Sequence, residues 1–472
     1  MTPRAIVDIR PEDLRGWFQA KLTAGYRLAL VAAHRDPESW RLVYLLMSGP
    51  PASRLELHVR LPLKDPVVPS LADLSYPAGR FEREMQDLFG IVPEGHPNPA
   101  PLVRHQPEDT ALRPTVEGPG VYEIPVGPVH AGLIEPGHFR FSVVGETILD
   151  MQPQLWFVRK GIEALFEGRD VEAGLGLAER ISGDTTVGHA LAYCLAVEEA
   201  SGTSVPTEAS VLRAVVLELE RLYNHVGDIG ALCNDVGFGI VHAHTLRIRE
   251  QLLRINKRVT GHRLLRGTVM LGGARVEELI AVATLEAVAE DLHEVVDIAL
   301  ANSTVVDRFT GTAVLGRDHA QRIGTLGCVA RASGLASDAR QVDAFAPLYA
   351  SLRVPVHQQG DVLARFRIRV DEFDSSVALL TTLLRDAVAG THGSSPVAPG
   401  RESSGVGVVE GWRGTIVHRV ELSPAGTLSR VKVVDPSFFN WPALPMALAD
   451  TIVPDFPLAN KSFNLSYAGN DL

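Results

Sequence analysis

The spacing of apolar residues changes rhythm twice along the chain, and each change marks a different kind of structure. Near the N-terminus, short apolar runs ("YRLALVAAH", "WRLVYLLMS", "LELHVRLPL") are separated by polar or proline-containing turns. Such runs predict β-strands, and 1–106 reads as a small α+β domain. The stretch "EGHPNPAPLVRHQPEDTALRPTVEGPGVYEIPVGPVH" is dense in proline and glycine. It cannot hold a regular helix and predicts an extended linker over 107–127. The rhythm then becomes helical. Leu212, Val215, Val216, Leu219, Leu222, Tyr223 and Val226 recur at three- and four-residue steps and form one stripe, ending at Gly227. "HTLRIREQLLRINKRVTG", "VEELIAVATLEAVAEDLHEVVDIAL" and "SSVALLTTLLRDAVAG" repeat the pattern. "GVVEGWRGTIVHRVELSPAGTLSRVKVV" instead alternates around a "SPAG" turn and reads as a β-hairpin. The expected fold is α+β: the small N-terminal domain, the linker, and over 128–472 a mostly α-helical bundle domain with a β appendage.

Composition narrows the class. At 472 residues the chain is too long for one ordinary core, and 46% hydrophobic with 21% charged residues is a globular balance. A net charge of -11 without a basic run gives nucleic acid little to bind. Cys194, Cys233 and Cys328 form no CxxC, so no disulfide framework and no local zinc or iron–sulfur site is indicated; buried thiols in a reducing compartment are expected. "MTPRAIVDIRPEDLRGW" lacks the apolar core of a signal peptide. The most apolar later stretch, "EELIAVATLEAVAEDLHEVVDIALA", is broken by acids and a histidine, which argues against a membrane span. Any link to a membrane is expected through a partner.

Candidate chemistry gathers near glycines. "GPVHAGLIEPGHFRF" places His130 and His138 in a tight loop, where a histidine can bind a ligand or move protons, though a capping or surface role explains it as well. Tyr193 lies among small apolar residues, either in the core or presenting its hydroxyl to a ligand. "NHVGDIGALCND" sets Asp228 between glycines just past an expected helix end, a poor place for a carboxylate without a cationic partner. Glu218, Arg221 and His225 line one flank of the helical stripe. The pair His242 and His244 has no acidic or cysteine neighbour to complete a metal site. "ERISGDTTVGHALAYC", from Glu179, has the outline of a metal-site entrance without soft ligands.

In order along the chain these motifs resemble a known family. "FEREMQDLFGIVPEGHPNP" is similar to the small hydrophilic subunit of respiratory complex I. "GPVHAGLIEPGHFRF", "AERISGDTTVGHALAYCLAVE", "RAVVLELERLYNHVGDIGAL", "RASGLASDAR", "GDVLARFRIRVDEFDSS" and "VEGWRG" resemble the quinone-site subunit of complex I and the large subunit of energy-converting, membrane-bound [NiFe]-hydrogenases. Formate hydrogenlyase-type complexes fuse both modules, and the ending "DPSFFNWPALPMALADTIVPDFPLANKSFNLSYAGNDL" resembles that branch.

The resemblance carries several expectations. Hydrogenase members hold nickel and iron with four cysteines in ER-x-C-x-x-C and D-P-C-x-x-C segments; here those positions read Ser182, Thr185, Ser437 and Asn440. Hydroxyls and an amide are hard, neutral donors, so no Ni–Fe centre is expected and no metal is assigned. In complex I the corresponding site ends a quinone channel, which implies Tyr193, His138 and Asp228 as quinone-site residues delivering protons. Glu218, Arg221, His225, Arg331, Asp338, Arg340, Glu410 and Arg413 match the family's ion pairs or proton relay. No cofactor is expected on the chain itself, neither iron–sulfur cluster nor NADH. Quinone is the implied substrate, and a [4Fe-4S] cluster sits on a partner. The implied partners are that iron–sulfur small subunit and membrane-embedded antiporter-like and quinone-channel subunits, with the chain held peripherally at the cytoplasmic face of the membrane. The other reading is a scaffold that has lost redox chemistry.

Overall fold

The three N-terminal apolar runs are strands buried on both faces, which is why they read as continuous rather than alternating. A computed structural model describes residues 3–104, 116–129, 134–342, 345, 349, 352–394 and 400–472. In it, β1 (Arg4–Ile9), β2 (Arg27–Arg35), β3 (Ser39–Ser48) and β4 (Ser53–Pro62) form a sheet of order β1-β4-β3-β2. β1 runs parallel to β4, and the other neighbours are antiparallel. Helix α1 (Leu14–Thr23) packs on this sheet with Phe18 edge-on to Tyr44.

Helix α2 (Tyr76–Phe89), which stops at Gly90 in the left-handed conformation, carries the "FEREMQDLFG" signature. Its acids are anchors. Glu82 accepts hydrogen bonds from Ser70 Oγ and Leu71 N, Glu84 pairs with Lys432, and Asp87 accepts from Leu102 N and Val103 N.

The expected linker is more ordered than its composition suggests. Its end, β5 (Val121–Val126), pairs with β6 (His138–Val144), which pairs with β7 (Thr147–Gln154) in an antiparallel sheet. Strands tolerate prolines that a helix does not, provided they lie at an edge. One apolar cluster contains Leu14, Phe18 and Leu45 together with Phe139, Phe141, Val406, Val417, Phe438 and Trp441, so the N-terminal module and the later sheets share a core. Polar ties reinforce the contact: Arg419 donates to Glu56, and Arg4 to Ser404.

The helical part is built on α3 (Thr186–Ser201), α4 (Thr207–Asp235), α5 (Gly239–Thr260), α6 (Val282–Ala301) and α7 (Val362–Asp386). The expected β-hairpin is a three-stranded meander, β8 (Ser403–Gly411), β9 (Gly414–Leu422) and β10 (Leu428–Val434). Helix α3 lies directly on β8 because Gly405 and Gly407 face the carbonyls of Ala196 and Ala192, where a Cβ would collide. Among the described residues no helix is long and apolar enough to cross a membrane.

Candidate functional site

The loop that starts α3 and the turn after β10 meet in one buried cradle. Ser182 Oγ donates to Asp184 Oδ1 at 3.0 Å and lies 2.9 Å from Ser466 Oγ. Ser466 N donates to Ser437 Oγ at 2.9 Å. Thr185 Oγ1 donates to Asp184 Oδ1 at 3.0 Å and accepts from Trp412 Nε1 at 3.1 Å. Asn440 spends its amide on both backbone groups of Leu326, at 2.8 and 3.1 Å. Ser182, Thr185 and Ser437 are therefore gathered in space, with Asn440 on the same short helix as Ser437, and all four are buried.

Two ion pairs form the rim. Arg413 grips Asp184 through two bonds of 2.7 and 2.6 Å and reaches Asn464 O. Asn464 Nδ2 donates to Asp228 Oδ1 at 2.7 Å, and Arg369 Nε donates to Asp228 Oδ2 at 2.9 Å. Lys461 Nζ completes the rim 3.4 Å from Asp228 Oδ1. The Asp184 and Lys461 side chains are 38% and 32% exposed, so the cradle opens to solvent at these two residues. Burial would raise both carboxyls. Arg413 overrides it at Asp184, while Lys461, Arg369 and Arg413 do so at Asp228, and both groups stay ionised. The wall beside Ser466 is clamped by the glycine-rich loop: Glu135 accepts from Ala468 N, and Gly137 is pressed against the Tyr467 ring.

A nickel–iron centre needs soft, anionic sulfur donors to bridge its metals. Here the corresponding oxygens are neutral and already committed to neighbouring protein groups, and the three buried cysteines stand at other positions, Cys328 Sγ accepting from Arg369 of the rim at 3.4 Å. The residues present do not fit that centre.

The expected quinone-site residues are placed differently from one another. Tyr193 is wholly buried and stacks on Phe166, and its hydroxyl donates to Val171 O at 2.8 Å. With that hydroxyl spent on a backbone carbonyl and the ring buried, it packs as a core tyrosine, and burial raises its pKa. Asp228 does belong to the cradle, but it lies inside α4 and not past a helix end. The helix continues to Asp235, because its glycines serve close packing: Gly230 faces Thr245 of α5 where a Cβ would collide. The cationic partners the sequence demanded for Asp228 are Arg369 and Lys461. His138 opens β6 and is half-buried, next to the loop that clamps the cradle wall. His130 lies outside the described residues. His242 and His244 are two steps apart on helix α5, which turns their side chains away from each other.

Seven of the expected ion-pair residues share one network beneath the cradle, completed by Glu372. Arg331 donates to Glu372 at 2.7 Å and Glu410 at 2.9 Å, and lies 3.4 Å from Asp338. Arg340 bridges Asp338, at 2.7 Å, and Glu218, at 3.1 Å. Arg221 holds Glu218 at 3.1 Å, and His225 Nε2 lies 3.0 Å from Glu372. Tyr349 and Ser376 donate to Glu218, and Thr415 to Glu410. Burial opposes every charge, yet the guanidiniums of Arg340 and Arg221 keep Glu218 low, and Arg331 keeps Glu372 well below the carboxylate range. Arg413, expected with this group, instead belongs to the cradle.

Sequence reasoning passed over Asp184, His189, Glu220, Arg369, Glu372, His418, Asp435, Lys461 and Ser466. A helical reading of "GDVLARFRIRVDEFDSS" would have flagged Arg365, Arg369, Glu372 and Ser376 as one face at i, i+4, i+7 and i+11.

Known proteins place this geometry in a class. The respiratory-chain NADH dehydrogenase 30 Kd subunit family matches residues 7–119, the 49 Kd subunit family 235–399, and the nickel-dependent hydrogenase family 160–229. Formate hydrogenlyase subunit 5 of Escherichia coli is 29% identical over 91% of this chain and 81% of its own length. The carbon monoxide-induced hydrogenase of Rhodospirillum rubrum is 30% identical over 73% of this chain and 97% of its own, and hydrogenase-4 component G of Escherichia coli 31% over 83% and 73%. The solved membrane-bound sulfane sulfur reductase, an archaeal respiratory membrane complex, shares the fold, with TM-score 0.68 and 24% identity over 75% of this chain and 99% of the matched chain. The chain belongs to the family of fused complex I and energy-converting hydrogenase large subunits.

Proposed function

We propose that this chain is the large peripheral-arm subunit of a membrane-associated oxidoreductase, in which electrons pass from an iron–sulfur partner to a quinone-like acceptor seated at the cradle. Membrane-embedded partners couple the transfer to ion translocation. The observation that carries this reading is the cradle itself: Ser182, Thr185 and Ser437, three of the four positions matching the hydrogenase thiolates, are tied together through Asp184 and Ser466 while Asn440 is spent on Leu326, yet the rim pairs Asp184–Arg413 and Asp228–Arg369 beside them remain open to solvent through Asp184 and Lys461. A polar headgroup accepting electrons needs hydrogen-bond donors and a proton supply close by. Lys461 supplies a donor that solvent reaches, and Arg413 holds a fixed positive charge behind it. The cradle is expected to hold no nickel.

Burial of the Tyr193 hydroxyl favours the other reading, a scaffold without redox chemistry. The test is the intact complex purified from membranes through a tag on this chain, analysed for nickel and for reduction of a water-soluble quinone. Quinone reduction without stoichiometric nickel supports the proposal. Stoichiometric nickel overturns the donor-set argument, and absence of quinone reduction leaves the scaffold.

A further inference from the structure

Behind the cradle, α3 and the last two strands bring two imidazoles and a carboxylate into one chain. His189 Nε2 lies 3.1 Å from Asp435 Oδ2, and His189 Nδ1 lies 3.1 Å from His418 Nε2. All three side chains are fully buried. Asp435 also caps the turn that carries Ser437, accepting from its N–H at 2.7 Å. The Tyr193 ring meets His418 edge-on. Among the described residues, His418 Nδ1 has no hydrogen-bond partner.

The distances constrain the protons. Asp435 accepts, so His189 carries hydrogen on Nε2; its Nδ1 then accepts from His418 Nε2–H. This neutral arrangement leaves a bare lone pair on His418 Nδ1, an unusual arrangement for a buried polar atom. Apolar side chains would fill the same volume with no such cost.

We propose that His418, His189 and Asp435 form a one-proton holding site serving the acceptor at the cradle. In the empty form the two rings carry two N–H groups. In the loaded form they carry three: His189 is protonated on both nitrogens, donating to Asp435 and to His418 Nε2, while His418 carries hydrogen on Nδ1. A proton taken up at His418 Nδ1 reaches this state when the Nε2 proton of His418 hops to His189 Nδ1. The Nε2 proton of His189 leaves at the Asp435 end, beside Arg413 and the Ser437–Ser466–Ser182 hydrogen-bond series, which leaves both rings protonated on Nδ1; exchange of each ring to its Nε2–H tautomer restores the empty form. It supplies one of the two protons that a quinone takes up with two electrons from the iron–sulfur partner; solvent at the rim supplies the other.

The facing groups favour a single held proton. The Asp435 carboxylate favours positive charge on the ring against it, whereas Arg413, which also faces Asp435, opposes a second. Burial and the neighbouring His189 push the His418 pKa well down, and the one carboxylate bonded to the pair, Asp435, lies against His189.

The proposal rests on the cradle as acceptor site, and the test separates the two. In the full chain labelled with 15N-histidine, imidazole spectra between about pH 5 and pH 9 read tautomer and charge directly, with His418→Gln for assignment. Uptake of one proton shared by the two rings is expected; two rings that remain neutral throughout overturn the holding site. In the complex, His189→Gln and His418→Gln are expected to slow quinone reduction roughly tenfold or more at alkaline pH, less at acid pH, with KM unchanged. A pH–rate profile identical to that of the unmodified complex overturns the link to the cradle. If the unmodified complex reduces no quinone, the acceptor reading falls and with it the service role, while the spectra still decide whether the proton site exists.

Discussion

The cradle and the charge network are carried on shared elements but are built on opposite principles. Helix α7 contributes Arg369 to the cradle and, three residues on, Glu372 to the network. Around Glu372 every charged partner is sealed from solvent, and four carboxylates face three guanidiniums and His225 in a closed set. Around Arg369 the partners lead outward through Asp228 to the half-open Lys461. A closed set of buried charges fixes geometry, because breaking any pair strands an uncompensated charge. An open one tolerates rearrangement and can admit a ligand. On the proposed function the network is the frame and the cradle is the working surface.

The largest effect expected from breaking the frame is at Arg331. Arg331→Met strips Glu372, Glu410 and Asp338 of their shared cation. Urea unfolding of the full chain should show a loss of about 3–5 kcal/mol, and adding Glu410→Gln should return part of it. A loss comparable to that of a surface pair would show that the network is not sealed.

Arg413→Gln makes the matching break in the cradle. Its partner Asp184 is partly exposed and can be rehydrated, so the stability cost should be nearer 1–3 kcal/mol, roughly that of one buried hydrogen-bonding group. The functional cost should be larger, with quinone reduction by the complex falling about a hundredfold, as for loss of a preorganised charge at a reacting group. An unchanged rate would erase the distinction between frame and working surface.

Glu220 tests the boundary between the two regions. It accepts from Val187 N and Gly188 N at the start of α3, and burial pushes its pKa up to about 8 from an ordinary 4.5. A raised carboxyl favours the fold below its unfolded pKa and loses that advantage as pH rises through the folded value. The stability of the native chain relative to Glu220→Gln should therefore fall between pH 4.5 and 8, with a slope of at most about 1.4 kcal/mol per pH unit. Urea midpoints across that range give the slope. A flat difference would mean that the two backbone donors keep Glu220 ionised.

The fold was largely legible because its signals are local. The apolar runs at Leu28–Ala33 and Leu42–Met47, the stripe from Leu212 to Val226 and the "SPAG" turn each specify their element by period and punctuation. Glycine misled where its role was tertiary: Gly227 and Gly230 looked like a helix stop, whereas Gly230 exists for the approach of Thr245. The cradle was legible in part, since a missing thiolate is visible in sequence. Its partners were not, because Asp184–Arg413 and Asp228–Arg369 join residues separated by long stretches of chain. The same holds for His189 and His418, which only the packing of α3 on β9 brings together.

Tyr193 gives the smallest expected effect and the sharpest reading of the sequence against the structure. Family resemblance makes this hydroxyl a proton donor to quinone, and Tyr193→Phe should then abolish turnover. The structure commits that hydroxyl to Val171 O, with the ring stacked on Phe166 and edge-on to His418. Phenylalanine keeps the ring and its stacking and removes one neutral hydrogen bond, a change of about 1 kcal/mol. Quinone reduction by the Tyr193→Phe complex should accordingly stay within about twofold of the native rate, a difference well under 1 kcal/mol in barrier, while the unfolding midpoint drops slightly. Loss of turnover with unchanged stability would place the acceptor at Tyr193, and the cradle rim would then be its approach rather than its seat.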